Sequence, residues 1–288
     1  MSELPTGPLR VSIFGAGRVA TAAATLLQER AHRIVAVASP RAESAERSAA
    51  RLGAPVAPAA ELAGSDAILI GAPDGALSDA VVQLGDATKG AVLIHFAGSA
   101  GIAPLHRAAD AAALCALHPV QACPDVDTAI ERLPGSAWGV TCSDGARDWA
   151  HALIRDDLRG LPVDVAEDDR VLWHAAAVTT SNGISALMAT GESLLSAMGI
   201  DAPDHVLGPI AAGTVANARD MASGTKALTG PVVRGEVDVI SRHVDAVDSR
   251  AAGLGRAYRD AVLSIVSSAR ATGRISEEVA ADIRRVLQ

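Results

Sequence analysis

Residues Arg10–Ala20 read R-V-S-I-F-G-A-G-R-V-A. A short apolar run stops at Gly15-Ala16-Gly17-Arg18-Val19-Ala20, and an alanine-rich helical stretch follows. This is a G-x-G-x-x-A turn between a strand and a helix. Gly15 permits the tight turn, Gly17 lets the backbone approach a pyrophosphate, and Ala20 lets the helix lie against the strand. The helix N-terminus then offers free N–H groups and a partial positive charge to the anion. In this context the turn points to a dinucleotide site.

Downstream, strands and helices alternate. The helix after the turn runs to about Glu29, and His32–Ser39 follows as a second strand. Arg41–Leu52 has a helical pattern closed by Gly53, and Pro55–Ala57 is expected to form a short third strand. Ser65–Ala72 and Ala91–Phe96 are nearly continuous apolar runs, as expected for strands covered on both faces. Pro73-Asp74-Gly75 signals a helix start, with Leu77, Val81 and Leu84 at helical spacing. Leu114–Leu117 is a further strand, ending in His118-Pro119. Trp138–Thr141, Gly145–Leu158 and Pro162–Val165 add one more β-α-β unit. Beyond Glu167 the texture becomes helical: one long helix over Asp168–Met198, a second over Pro203–Ala222, and three shorter ones. The last carries Glu277 and Glu278 at its start and Arg284 and Arg285 at its end, matching the macrodipole. The expected fold is α/β, a Rossmann-like doubly wound and mainly parallel sheet over 1–167, followed by an all-helical domain over 168–288.

Bulk properties narrow the function. The formal net charge of −8 offers no broad basic face, which argues against nucleic acid or an anionic membrane as partner. No apolar segment reaches the length of about 18–20 residues that spans a bilayer, and no signal peptide is read at the N-terminus. A cytoplasmic location and a small-molecule substrate are expected. Cys115, Cys123 and Cys142 show neither a C-x-x-C pair nor a ligand cluster, so they are read as reduced thiols and no metal is expected.

The end of the second strand bears on the choice of cofactor. NAD sites place an Asp or Glu about 20 residues past the fingerprint, on the ribose 2′-hydroxyl. Here Ser39-Pro40-Arg41 occupies that position, with no carboxylate until Glu43. A hydroxyl and a guanidinium suit a 2′-phosphate that a carboxylate would repel, so NADP is expected. Arg18 is either an aid to a phosphate or ordinary surface charge.

In a doubly wound sheet the ligand lies outside the carboxyl ends of the strands. That singles out Ala72-Pro73-Asp74 and Ala97-Gly98-Ser99, which either line the nicotinamide or are ordinary turn residues, and His118 and Gln121 at the end of the sixth strand. His118 either opens toward the cleft or ties down a loop. On the long helix, His174 and Ser181 are seven residues apart and share a face, with Asn182 about 80° round. They are candidates to orient or protonate a hydride acceptor; a polar stripe at a subunit interface is the competing account.

Three blocks complete the picture: Leu117-His118-Pro119-Val120-Gln121, His174–Val178 continuing to Ser181-Asn182, and Ala227–Gly235 (A-L-T-G-P-V-V-R-G). With the fingerprint, they resemble a family of NADP-dependent oxidoreductases in which a Rossmann-like domain precedes a helical domain of unknown function. That family is similar in plan to ketopantoate reductases, pyrroline-5-carboxylate reductases and β-hydroxyacid dehydrogenases, whose helical domains are of the 6-phosphogluconate dehydrogenase C-terminal type. The resemblance implies hydride transfer from NADPH to a small carbonyl or imine, and a homodimer formed through the helical domain. Its specific implication is a 2-dehydropantoate reductase-like activity on a 2-oxo acid, with an imine reductase or a non-catalytic NADP sensor as alternatives. The long helix departs from the ketopantoate reductase pattern, because it carries no lysine. His174 is the substitute candidate for the acid. Arg234 is a candidate for a substrate carboxylate, or else braces a helix start.

Overall fold

The computed structural model describes residues 4–288. The chain forms two compact units, divided between Thr179 and Thr180.

The first unit is built on a seven-stranded sheet of order β2-β1-β3-β4-β5-β6-β7. In chain order the elements are β1 (Arg10–Phe14), α1 (Arg18–Glu29), β2 (Arg33–Ala38), α2 (Ala42–Leu52), β3 (Ala67–Ile70), α3 (Leu77–Leu84) and β4 (Val92–His95). They continue with β5 (Ala113–Pro119), α4 (Val126–Arg132), β6 (Ala137–Cys142), α5 (Arg147–Ala152) and β7 (Leu161–Asp164). Every residue of β3 and β4 is buried, which explains their unbroken apolar sequences. Two apolar clusters form the core: one contains Val11, Ile13, Leu26 and Leu69, the other Phe14, Ile68, Ile70 and Leu77. Alternate residues of β1 and β3 thus feed opposite faces, as the two-residue period of a strand requires.

The first unit departs from the sequence reading in three places. Pro55–Ala57 is not a strand; it makes a single bridge, Val56 to Val37. Pro55 and Pro58 flank it and have no N–H to extend the ladder. β6 runs antiparallel to β5, while the other neighbouring pairs are parallel. The chain turns back after Pro119 through α4, a helix that the apolar periodicity does not reveal because it is only seven residues long. Asp125 caps it by accepting from the Thr128 N–H at 2.8 Å.

The fingerprint turn owes its shape to close backbone approach. Gly15 has φ +80°, and a Cβ there would lie 2.9 Å from the Gly71 carbonyl oxygen. Seen from the other side, a Cβ on Gly71 would sit 2.0 Å from the Gly15 carbonyl oxygen and 2.9 Å from Ala20 Cβ. Ala20 is small because α1 presses on the end of β3 at this point. The Gly15 N–H donates to Ala38 O at 2.8 Å, which ties the turn to β2 as well.

A tight turn over Glu167–Asp169 leads into α6 (Arg170–Ser196). The first ten residues of α6 belong to the sheet unit. The reason is Arg170, whose side chain is wholly buried at the ends of the strands.

The second unit contains the rest of α6, with α7 (Pro203–Asp220), α8 (Pro231–Arg234), α9 (Val237–Arg250), α10 (Gly255–Ala271) and α11 (Glu277–Val286). Val232, Ile240, Val244, Val262, Val266 and Ile283 form its core, drawn from α8–α11. α11 starts as its sequence predicts, with the Ser276 hydroxyl accepting from the Val279 N–H at 3.2 Å. α7 contributes no buried residue.

Substituting Gly71→Ala forces a methyl group against main chain that cannot move aside. We expect a loss of about 1–3 kcal/mol, read as a lower urea midpoint with unchanged m-value. An unaltered midpoint would show that the turn tolerates displacement.

Candidate functional site

The fingerprint opens onto a cavity of about 710 Å³ at the carboxyl ends of the strands. Gly15, Ala16, Gly17, Arg18 and Val19 form one wall, and Ala72, Pro73 and Ala97 another. Ser39 and Arg41 lie at the end of β2, where the Ser39 hydroxyl accepts from the Arg41 N–H at 3.3 Å. Ser44, in the first turn of α2, joins them. It was not singled out from the sequence, although S-P-R-x-x-S is the signal that would have found it. The first carboxylate after β2, Glu43, is ion-paired with Arg47.

Two expected cavity residues are engaged in holding loops. Arg18 donates to the Pro124 carbonyl at 2.9 Å, joining the turn to the loop after β5. Gln121 lines the cavity, but its amide is bonded at both ends: Nε2 to Ser136 Oγ at 3.1 Å, and Oε1 to the Ala122 N–H at 2.9 Å. Asp74 is exposed and does not line the cavity. Its carboxylate accepts from the Ser99 N–H and hydroxyl and from the Ala100 N–H. Burial pushes the Asp74 carboxyl up, but the bonds from Ser99 outweigh that and hold it below the usual carboxylate range.

Asp74 is one of four anchors on the segment after β4. His95 reaches forward to the Gly101 carbonyl through Nε2 at 2.8 Å, while its Nδ1 accepts from the Ala97 N–H at 3.2 Å. Glu167 accepts from the Ile102 and Ala103 N–H groups at 2.9 and 3.0 Å. Arg170 donates to the carbonyls of Ala97 at 2.8 Å, Ala100 at 3.1 Å and Gly139 at 3.1 Å, with a longer contact to Ala116 at 3.5 Å. Neither Glu167 nor Arg170 was foreseen. In the run E-D-D-R nothing distinguishes them from surface charge before the chain is folded.

The loop so fixed lies against His174. A Cβ on Gly98 would come within 2.1 Å of His174 Nδ1, so only glycine allows the approach. Nδ1 of His174 is buried without a hydrogen-bond partner among the described residues, an unusual state for a buried polar atom. The ring meets that of His118 edge to face, with centroids 5.3 Å apart. His118 Nδ1 in turn accepts from Trp173 Nε1 at 3.0 Å. This bond places the neutral ring's proton on Nε2. Trp173 fits because Gly139 lies beneath it; a Cβ there would be 2.7 Å from the indole. Burial, aided by the nearby Arg170 cation and His174, pushes the His118 pKa down to about 4. His95 is likewise lowered to about 4, chiefly by burial.

Three expected residues belong to the second unit. Ser181 and Asn182 are exposed on α6. Arg234 closes α8 and holds Glu236 through two parallel bonds of 2.8 Å. No helix is long and apolar enough to cross a membrane among the described residues.

Residues 1–119 match the Rossmann-like domain family, and residues 136–265 match a domain of unknown function, DUF2520. No curated protein matches the chain. Among solved structures, a candidate NADP oxidoreductase from Bacteroides fragilis is 22% identical with a TM-score of 0.75, over 90% of this chain and 98% of that one. An imine reductase from Myxococcus stipitatus in complex with NADP⁺ is 17% identical with a TM-score of 0.62, over 97% and 100% of the two chains. A 1-pyrroline-5-carboxylate reductase from Streptococcus pyogenes is 18% identical with a TM-score of 0.61, over 98% and 99%. At these identities the likeness is one of fold. The chain thus joins a segment that matches the Rossmann-like domain family to one that matches DUF2520.

Proposed function

We propose that the protein is an NADPH-dependent reductase of a small carbonyl or imine compound. The observation that carries this reading is the cavity itself. A glycine turn seated on Gly71 faces Ser39, Arg41 and Ser44, with no free carboxylate at the end of β2. The turn suits a pyrophosphate, and the two hydroxyls with a guanidinium suit a 2′-phosphate. Bound NADPH supplies the hydride. Ala72, Pro73 and Ala97 are the small residues that would border its nicotinamide end.

For the acceptor, our first reading is a 2-oxo acid of the 2-dehydropantoate kind. Reducing a ketone requires a proton at the developing alkoxide, and His174 is the group we assign to orient or supply it. The second reading, a cyclic imine, is favoured by the state of His118. With its pKa near 4 this ring is a neutral Nε2–H donor at pH 7 rather than an acid, and a protonated imine needs no acid. Named imine and pyrroline-5-carboxylate reductases share the fold.

We further propose that a second copy of the chain covers α6 and α7. From Val206 to Ala218, α7 carries no charged residue, and Val206 and Ile210 are 53% and 67% exposed. A helix meant for solvent carries charge on its outer face. A self-complementary apolar face is what a two-fold dimer buries.

Four outcomes are expected. NADPH oxidation should be seen with a 2-oxo acid or a cyclic imine, and Arg41→Asp should weaken NADPH binding at least tenfold more than NADH binding. Equal losses would remove the 2′-phosphate assignment, and tight NADPH binding with no turnover of any acceptor would favour a sensor. Stability should depend on His95 and His118 in a defined window. Both have folded pKa values below the ordinary value of about 6.5. The unfolded chain therefore takes up protons first, so the contribution is complete above pH 6.5 and is lost as the pH falls toward 4, by up to about 3 kcal/mol per ring. A urea stability that stays flat from pH 7 to 4.5 would contradict this. Finally, Ile210→Glu should convert a dimer to a monomer in sedimentation equilibrium; a wild-type chain already monomeric at micromolar concentration would end the dimer proposal.

A further inference from the structure

Cys115 and Cys142 are register partners across the antiparallel pairing of β5 and β6. The Ser143 N–H donates to Leu114 O at 2.9 Å, and the Val120 N–H to Ala137 O at 2.8 Å. These bonds fix the alternation along the ladder. Leu114 with Ser143 and Val120 with Ala137 are hydrogen-bonded pairs, and counting from either end leaves Cys115 with Cys142 as a non-hydrogen-bonded pair. At such a pair the Cα atoms approach to about 4.5 Å and the side chains come closest. A disulfide accepts Cα separations of about 4.4–6.8 Å, so this position needs no backbone movement to close one. The side chains agree, since the two sulfurs are already 3.1 Å apart.

The two thiols differ in access. Cys115 is fully buried, and its hydrogen bond to Cys142 together with burial pushes its pKa well up, so by itself it is an inert core thiol. Cys142 is partly exposed and lines a second cavity of about 620 Å³, distinct from the nucleotide cavity and bordered by Thr141, Arg147, Asp164 and Glu167. One thiol belongs to a partly exposed residue on a cavity wall, and the other lies fully buried beside it. Cys123, the third thiol, has no sulfur partner among the described residues.

We propose that Cys115 and Cys142 are a reversible redox site, closed to a cross-strand disulfide by a peroxide. The Cys142 thiol gives its proton to solvent, and the thiolate attacks a peroxide oxygen. An S–O bond forms, the O–O bond breaks, and the departing hydroxide takes up a proton as water. The Cys115 sulfur then attacks the sulfenic sulfur of Cys142. The S–S bond forms, the S–O bond breaks, and hydroxide leaves with the Cys115 proton as a second water. Overall two thiols and one hydrogen peroxide give one disulfide and two waters; a small dithiol reverses the change by exchange.

The test is hydrogen peroxide treatment of the full-length protein, followed by thiol counting under denaturing conditions and non-reducing peptide mapping. We expect the count to fall from three to one, with the Cys115 and Cys142 peptides linked and both thiols restored by dithiothreitol. In Cys115→Ser, Cys142 should stop at a sulfenic acid that dimedone traps, or proceed to the sulfinic acid. In Cys142→Ser, Cys115 should stay unmodified. The wild-type peptide map decides the matter even if a variant folds poorly. A link through Cys123, three surviving thiols, or a wild-type Cys142 that accumulates as sulfinic acid beside a free Cys115 would each overturn the proposal.

Discussion

Arg170 carries a full positive charge into the interior with no carboxylate in contact, and main-chain carbonyls answer it. A buried charge is tolerated only where its donors are satisfied. A guanidinium has five N–H groups in a planar fork, which lets one side chain serve acceptors from several directions. Those acceptors come from the loop after β4 and from β6, with β5 at a longer distance. Each bond to a charged group contributes about 1.5–3 kcal/mol, and each abandoned carbonyl would cost a comparable amount. This single residue therefore fixes the start of α6 against the strand ends. Trp173 and His174 follow within one helical turn, and their positions are a consequence of where Arg170 is held.

The same region depends on missing side chains. Gly98 admits His174, Gly101 admits the Glu167 carboxylate, and Gly139 admits the Trp173 indole. None of these three glycines has a positive φ, so their value here is space and not backbone freedom. Gly15 differs, because it needs both. The polar anchors act on the same loop. Asp74 and Glu167 take up its N–H groups, Arg170 and His95 take up its carbonyls, and so little of its backbone is left to water. A loop held in this way is fixed by its own hydrogen bonds, and the cavity wall it forms is preorganised.

Much of this was legible in the sequence wherever the determinant was local. The turn at Gly15–Ala20 is a local steric pattern, and it forms as read. The strands at Ala67 and Val92 are short runs that need burial on both faces, and they receive it. Asp125 shows the limit of apolar periodicity, since its cap starts a helix too short for that signal. Asp74 and Gln121 show a different limit. Both follow strand ends, yet their side chains bond the loops beside them, Asp74 to Ser99 and Ala100 and Gln121 to Ala122 and Ser136. The two cysteines, read singly, gave no sign of being neighbours.

By itself the sequence determined the alternation of strands and helices, the fingerprint turn with its small residues, and the absence of a carboxylate where β2 ends. These depend on steric and burial requirements that act over a few neighbouring residues. Only the tertiary structure decided the antiparallel return of β6, the burial of Arg170, the tautomer of His118 and the pairing of Cys115 with Cys142. Each of these depends on atoms from segments far apart in the chain, such as Trp173 with His118 or Gly139 with Arg170. No local pattern encodes such a contact, because it exists only once burial has removed the alternative of bonding to water.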